Sequence, residues 1–337
     1  MSTPLIVPRT IVAGNSVVAL LPSAAMASAS DWTLASIPPL AGARCVVTGA
    51  NSGIGYFAAL ELARHGAQVL LACRNTAKGS EAAARIQEET GATDVDVMAL
   101  DLADLSSVRA FADALRDETR AIDLLINNAG VMAIPKRAET ADGFEMQFGT
   151  NHLGHFALTG LLLDRLRDTP GARIITVSSN AHRMAKIRFE DPNWEREYSR
   201  WAAYGQSKLA NLMFAYELQR RLARAGAKAI SVACHPGWSA TSLLVNGSQL
   251  GGGKLFARVG DVASRVLAQD AAAGALPTLY AATQPGLRGG EYVGPDGFQE
   301  MRGKPHLTGS TARSRHEEDA ARLWELSERL TGVRYLS

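Results

Sequence analysis

Cysteine is scarce in this chain: Cys45, Cys73 and Cys234 are its only three. Each sits in an apolar run of strand character, which argues against a disulfide framework or a zinc site. A reducing cytoplasm is therefore the expected compartment. Net charge is small as well, with 35 Lys and Arg against 33 Asp and Glu. No basic run is long enough to engage nucleic acid or an anionic membrane. Apolar stretches are all too short or too interrupted to span a bilayer. Internal repeats and low-complexity linkers are missing too, so strand and helix signals follow one another without a domain break.

What is present is enough apolar material, 47% of 337 residues, for a sizeable core. Residues 1–40 stand apart. Met1 to Ser30 carries a lone Arg9, an apolar stretch from Ile11 to Leu21 broken by Gly14-Asn15-Ser16, and small residues from Ala24. The sparse charge and the broken run fit a signal peptide poorly, so we read 1–40 as a poorly ordered leader. Its first thirty residues should be dispensable.

From Arg44 the chain alternates. Arg44-Cys-Val-Val-Thr-Gly-Ala-Asn-Ser-Gly-Ile-Gly-Tyr56 reads as a buried strand, a turn with Gly49, Gly53 and Gly55, and the start of a helix. Such a turn lets backbone approach a pyrophosphate, and the helix N-terminus offers N–H groups and a positive dipole end. Strands are expected at 67–73, 95–100, 122–126, 173–177 and 229–234, with a last short one at 290–293. Helices are expected at 78–90, 106–120 (Ser106 as cap), 144–166 and 201–225, with an amphipathic closing helix ended near Gly332. Near-continuous apolar strands alternating with helices imply an α/β fold. We expect one Rossmann-type doubly wound parallel sheet of about seven strands over 41–337, helices on both faces. Insertions at 180–203 and 243–268 read as lids.

Tyr204-Gly-Gln-Ser-Lys208 places Tyr and Lys on one helical face. With Asp101-Leu102, Asn127-Asn-Ala-Gly130, Asn151, Ser178-Ser179 and Pro236-Gly237, all in order, the chain from Arg44 onward resembles the short-chain dehydrogenase/reductase family. Ala72-Cys-Arg-Asn75, Asn151-His-Leu-Gly-His-Phe156 and Tyr204-Gly-Gln-Ser-Lys-Leu-Ala-Asn211 make it most similar to the branch of retinol dehydrogenases and related bacterial oxidoreductases. The same branch contains light-dependent protochlorophyllide reductases, which the intact Asn127-Asn128-Ala129-Gly130 resembles less.

The resemblance implies an oxidoreductase moving a hydride between a nicotinamide and a carbonyl or alcohol. Tyr204 would be the general acid/base, its pKa brought below the usual value of about 10 by Lys208, which also holds the nicotinamide ribose. Ser179, rather than Ser178, would hold the reacting oxygen, and Asn151 would anchor a relay water. For the coenzyme the resemblance implies Gly49, Asn51, Ser52, Gly53, Ile54 and Gly55 at the pyrophosphate. It places Asp101, Leu102, Asn128, Ala129 and Gly130 around the adenosine, and Pro236, Gly237 and Thr241 at the carboxamide. At the end of the second strand, where NAD users carry an acid, stand Cys73, Arg74 and Asn75. A guanidinium there pairs with a 2′-phosphate, so NADP(H) is expected. His152 and His155 fall outside that catalytic set, and nothing suggests a metal. The apolar insertions hint at an apolar substrate such as a retinoid, steroid, fatty aldehyde or aromatic ketone. Homodimer or homotetramer assembly is a further expectation. The competing reading is a non-catalytic NADP(H)-binding sensor or scaffold, which would need the glycine turn but not the Tyr, Lys and Ser set.

Overall fold

The computed structural model describes residues 32–118, 120–237 and 260–336, with the side chains of 260–270 left out. One sheet runs through it in the order β3-β2-β1-β4-β5-β6-β7-β8. Its strands are β1 (Arg44–Thr48), β2 (Gln68–Cys73), β3 (Val95–Ala99), β4 (Leu124–Asn127), β5 (Arg173–Val177), β6 (Ile230–Cys234), β7 (Tyr292–Pro295) and β8 (Pro305–Leu307). The first seven pair in parallel, and β8 returns antiparallel to β7. β1, β4 and β5 are buried along their whole length, as apolar strands covered on both faces must be.

Helices cover both faces. On one lie α1 (Gly53–Arg64) and α2 (Thr76–Thr90), where Leu62, Ile86 and Val47 join a single apolar cluster with Leu279 and Tyr280. On the other lie α3 (Leu105–Asp117), the composite helix α4 (146–161) and α5 (Arg200–Arg224). There Phe111, Phe156 and Phe214 pack over Val46 and Leu125. Helix α6 (Gly260–Thr283) precedes β7, and α7 (Glu317–Thr331) closes the chain. Trp324 of α7 meets Phe156 at 5.0 Å and Tyr335 at 4.7 Å between ring centroids. Gly332 ends α7 with φ +67°, the left-handed cap the sequence marks.

The structure corrects three expectations. Residues 32–40 belong to the fold rather than to a leader: Trp32 is buried and sits edge-on to Tyr280 at 5.6 Å, and Leu40 N–H donates to the His65 carbonyl. Residues 1–31 lie outside the described residues, as does most of the 243–268 insertion. The cap of α3 is Asp104, not Ser106, because the carboxylate reaches the N–H groups of Ser106 and Ser107 together. The 144–166 helix is broken into Met146–Phe148, a π-turn at Gly149–Leu153 and Gly154–Leu161. The expected sheet of about seven strands is present, extended by β8 in a hairpin that apolar periodicity does not announce.

The 180–203 insertion is firmly tied. Gln206 accepts from Arg188 N and donates to the Pro192 carbonyl, and Trp194 is buried beneath the Arg188 guanidinium, 4.3 Å away. Only Met184 and Trp201 leave large apolar surface exposed in this segment.

Candidate active site

Strand order reverses direction at β1 and β4, and the cleft opens beyond their carboxyl ends, where open α/β sheets hold ligands. At the end of β1, Gly49 and Gly53 adopt φ of +66° and +59°, a region that side chains disfavour. A Cβ at Gly55 would lie 2.5 Å from Asn128 Nδ2 and 2.6 Å from the Gly49 oxygen, so only glycine fits. Ser52, the N-cap of α1, makes no side-chain capping bond, which leaves the first-turn N–H groups to a ligand anion.

The cleft encloses about 450 Å³. Gly49, Asn51, Ser52, Gly53, Ile54 and Gly55 line one wall; Arg74, Asp101 and Leu102 line the adenosine end; Asn128, Ala129 and Gly130 form the floor. Tyr204, Lys208 and Pro236 lie at the other end. An elongated crevice with bare backbone donors at its middle, a cation at one end and a phenol with an ammonium at the other fits a dinucleotide.

Some expected residues are elsewhere. Asn75 lies outside the lining; its side chain caps α2 by accepting from Lys78 N, a job that sets the helix rather than the ligand. Gly237 is also outside the lining, pressed against the 298–301 turn, where a Cβ would come 2.4 Å from the Met301 oxygen. Thr241 lies outside the described residues. Asn151 is fully buried, its amide spent on Val131 and Ser207, so only its main chain is left for other work.

Of the two serines, Ser178 lines the cleft and Ser179, the expected holder of the reacting oxygen, stands outside the lining. Ser178 donates to the Lys208 carbonyl at 2.8 Å, a helix-to-strand tie. Ser179 Oγ accepts from Ala181 N–H at 3.2 Å, and its hydroxyl is near enough to the Tyr204 phenol to lower its pKa. Lys208 Nζ donates to the Val177 carbonyl at 3.2 Å and lies 5.8 Å from the centre of the Tyr204 ring. Burial pushes the Tyr204 phenol up to about 12, and the neighbouring Ser179 hydroxyl offsets only part of that. Burial also lowers Lys208 to about 8, so its ammonium is retained at neutral pH. Burial thus moves the tyrosine in the direction opposite to the lowering expected from Lys208.

Glu300 went unnoticed in the sequence. Its carboxylate takes bonds from Arg183, beyond β5, at 2.9 and 3.0 Å and from Thr308 at 2.5 Å, and it lies 2.9 Å from His235 Nε2, beyond β6. Burial alone would raise its carboxyl, but the bonds from His235, Thr308 and Arg183 prevail and hold it at about 2. Gln299 and Glu300 take φ of +50° and +55°, which no glycine signals. No group of three or more potential metal ligands exists among the described residues.

Together, the sheet and the crevice at its reversal define a dinucleotide-binding α/β oxidoreductase. More specifically, the chain belongs to the short chain dehydrogenase family, whose model matches residues 43–249. It is 42% identical over 298 residues to human retinol dehydrogenase 12, covering 88% of each chain. With human retinol dehydrogenase 13 it shares 43% over 303 residues, covering 89% of this chain and 86% of that one. An uncharacterized protein from Mycobacterium paratuberculosis superposes with a TM-score of 0.75 at 48% identity, over 90% of this chain and 98% of that one. A short chain dehydrogenase from Escherichia coli CFT073, solved with NADPH, gives a TM-score of 0.50 at 25% identity, over 63% of this chain and 82% of that one.

Proposed function

We propose that this chain is an NADP(H)-dependent oxidoreductase interconverting the carbonyl and alcohol of an apolar substrate of retinoid, steroid, fatty aldehyde or aromatic ketone type. The observation that carries the reading is the placement of Tyr204 and Lys208 together in the lining of the cleft, with Lys208 Nζ 5.8 Å from the centre of the Tyr204 ring and Ser179 next to the phenol. A nicotinamide coenzyme bound there supplies or accepts the hydride. Ser179 and Tyr204 would then hold the substrate oxygen between two hydroxyls, and the Tyr204 proton would pass to that oxygen during reduction. A phenol held at about 12 keeps its proton through the neutral range, which favours the donor role. Lys208 would bind the ribose and stabilise the tyrosinate left behind.

Arg74 supports the choice of NADP(H). It lines the adenosine end of the cleft, exposed, and no acidic side chain pairs with it among the described residues. The NADPH-bound relative points the same way, and the retinol dehydrogenase names of the similar proteins support an apolar alcohol or aldehyde. Three buried, unpaired cysteines accord with a reducing cytoplasm. Turnover of NADPH against a panel of apolar aldehydes and ketones tests the reading, with Tyr204→Phe as control. We expect turnover to fall by about 10²–10⁴ in the variant while coenzyme affinity stays. Full turnover in Tyr204→Phe would remove the proposed mechanism.

A further inference from the structure

His155 lies outside the residues assigned above, yet it joins both ends of the cleft's floor. Its Nδ1 is 2.9 Å from the main-chain carbonyl of Asn151, and its Nε2 is 2.9 Å from the Thr48 hydroxyl. A carbonyl only accepts, so the ring hydrogen is on Nδ1 and Nε2 is bare. The Thr48 hydroxyl must therefore donate to Nε2. Its lone pairs receive the N–H groups of Asn128 and Ala129 at 2.9 and 3.0 Å. Its single proton has one other acceptor, the Ile126 carbonyl, farther off at 3.2 Å.

From Ala129 the backbone runs on to Val131, which exchanges two hydrogen bonds with the Asn151 amide at 2.8 and 2.9 Å. The loop that floors the coenzyme cleft is thus held by Thr48 at one end and Asn151 at the other, and the two holders meet at His155. A Cβ at Gly130, inside that ring, would sit 3.0 Å from Asn151 Oδ1 and 3.6 Å from Lys208 Nζ. Thr48, Asn151 and His155 are all essentially inaccessible to solvent. Burial lowers the imidazole to about 4, so it stays neutral and carries no proton in turnover. The π-turn at Gly149–Leu153 shifts the helical ladder at this point, as such turns do at functional sites. His152, one turn-step away and equally buried, makes a useful contrast. It stacks on Phe148 and bonds Ser327, touching nothing in the loop.

We propose that His155 is a positioning residue: by bridging the Thr48 hydroxyl to the Asn151 carbonyl, it couples the coenzyme side of the cleft to its proton-transfer side. The proposal rests on the coenzyme reading of this cleft. Asparagine at 155 places its amide where Nδ1 is and keeps only the bond to Asn151. Glutamine places its amide where Nε2 is and keeps only the bond to Thr48. Phenylalanine fills the space and keeps neither.

The experiment follows NADPH affinity by fluorescence titration, kcat, its solvent deuterium isotope effect, and the imidazole nitrogens by NMR. His155→Asn is expected to weaken NADPH about tenfold, the scale of one hydrogen bond, with an isotope effect like the wild type's. His155→Gln is expected to bind NADPH within about twofold while kcat drops about tenfold and the isotope effect grows. His155→Phe combines both losses, and His152→Phe lowers only thermal stability. Equal loss of stability in all three 155 variants, with affinity, kcat per folded molecule and isotope effect unchanged, would overturn the proposal. In the wild type, NMR should show a hydrogen on Nδ1 and a bare Nε2. The opposite tautomer overturns the coupling even if every variant fails to fold. A wild type that binds no NADPH defeats the coenzyme reading instead, and the tautomer still decides the bridge.

Discussion

Lys208 is buried with its ammonium, and its lowered pKa makes it a liability to the fold. Between the unfolded value of 10.5 and the native value of about 8, the unfolded chain binds the proton more tightly. Stability therefore rises with pH across that window and is lowest below about pH 8. At pH 7 the cost is about 3 kcal/mol, from roughly 1.4 kcal/mol for each unit. Lys208→Met keeps the stem's packing and removes that cost. We expect a higher melting temperature than wild type at pH 7, a gain that fades by about pH 10.5, with turnover reduced but measurable. Melts at several pH values check it, and a lower melting temperature at pH 7 would show that the ammonium holds the fold together. In the reductive direction, kcat/KM should fall as pH rises through the Lys208 value of about 8, and Lys208→Met should lack that fall. Arg74 carries a separate prediction. Arg74→Ala should weaken NADPH by about 1.5–3 kcal/mol and leave NADH nearly unchanged, as a charged hydrogen bond to the 2′-phosphate requires. Equal weakening of both coenzymes would make Arg74 structural. Tyr204, Lys208 and Ser179 were legible through the family resemblance carried by the ordered motifs, since a Tyr–Lys pair at helical spacing is common by itself. The direction of the tyrosine's shift was not, because burial is a property of the assembled fold and here it is the largest cause.

At the scale of elements, the glycine turn shows why local signals read well. Strand, turn and helix succeed one another within a dozen residues, and each requirement is met by the residue in place. Gly55 is the sharpest case, because a methyl there would press on the Gly49 oxygen, which is backbone and has little room to yield. Gly55→Ala should cost about 1–3 kcal/mol of stability through overpacking, and it should displace Asn128 from its bond to the Thr48 carbonyl. NADPH affinity should drop by more than about tenfold, read by titration alongside a thermal melt. Unchanged affinity would mean the pyrophosphate lies elsewhere. The elements that periodicity missed were set by side-chain hydrogen bonds rather than by apolar spacing. The π-turn depends on what Asn151 and Glu145 bond, and the β7–β8 hairpin on Asp296 and Glu300. Asp104 displaced Ser106 as a cap because a carboxylate spans two N–H groups, a preference that a residue-by-residue scan for serine overlooks. The Glu300 node follows the same logic: it joins the turns after β5 and β6 through residues 117 and 65 positions away, a link no sequence window contains.

For the whole molecule, the boundary of the fold lies earlier than composition suggests. The segment 32–40 is short, has few charges and follows a leader-like stretch, so it reads as part of the leader. In the fold it covers one face of the sheet, with Trp32 and Ile37 in the same apolar cluster as Leu60, Leu279 and Tyr280. These partners come from both ends of the chain, so this contact closes the face formed by α1 and α6. One truncation and one substitution separate the two readings of the N-terminus. Removing residues 2–30 deletes nothing described here and should leave melting temperature and turnover close to those of the full chain. Trp32→Ala in the full chain empties a site that is 98% shielded, as the residue is 2% exposed, and should cost about 3–5 kcal/mol. Because α1 carries the glycine turn on its N-terminal end, that loosening should reach the coenzyme site, and NADPH should restore part of the lost melting temperature by binding the folded state. Thermal melts of both variants with and without NADPH give the answer. If the 2–30 truncation were as damaging as Trp32→Ala, the leader would share the packing of Trp32, and the edge of the domain would move toward Met1.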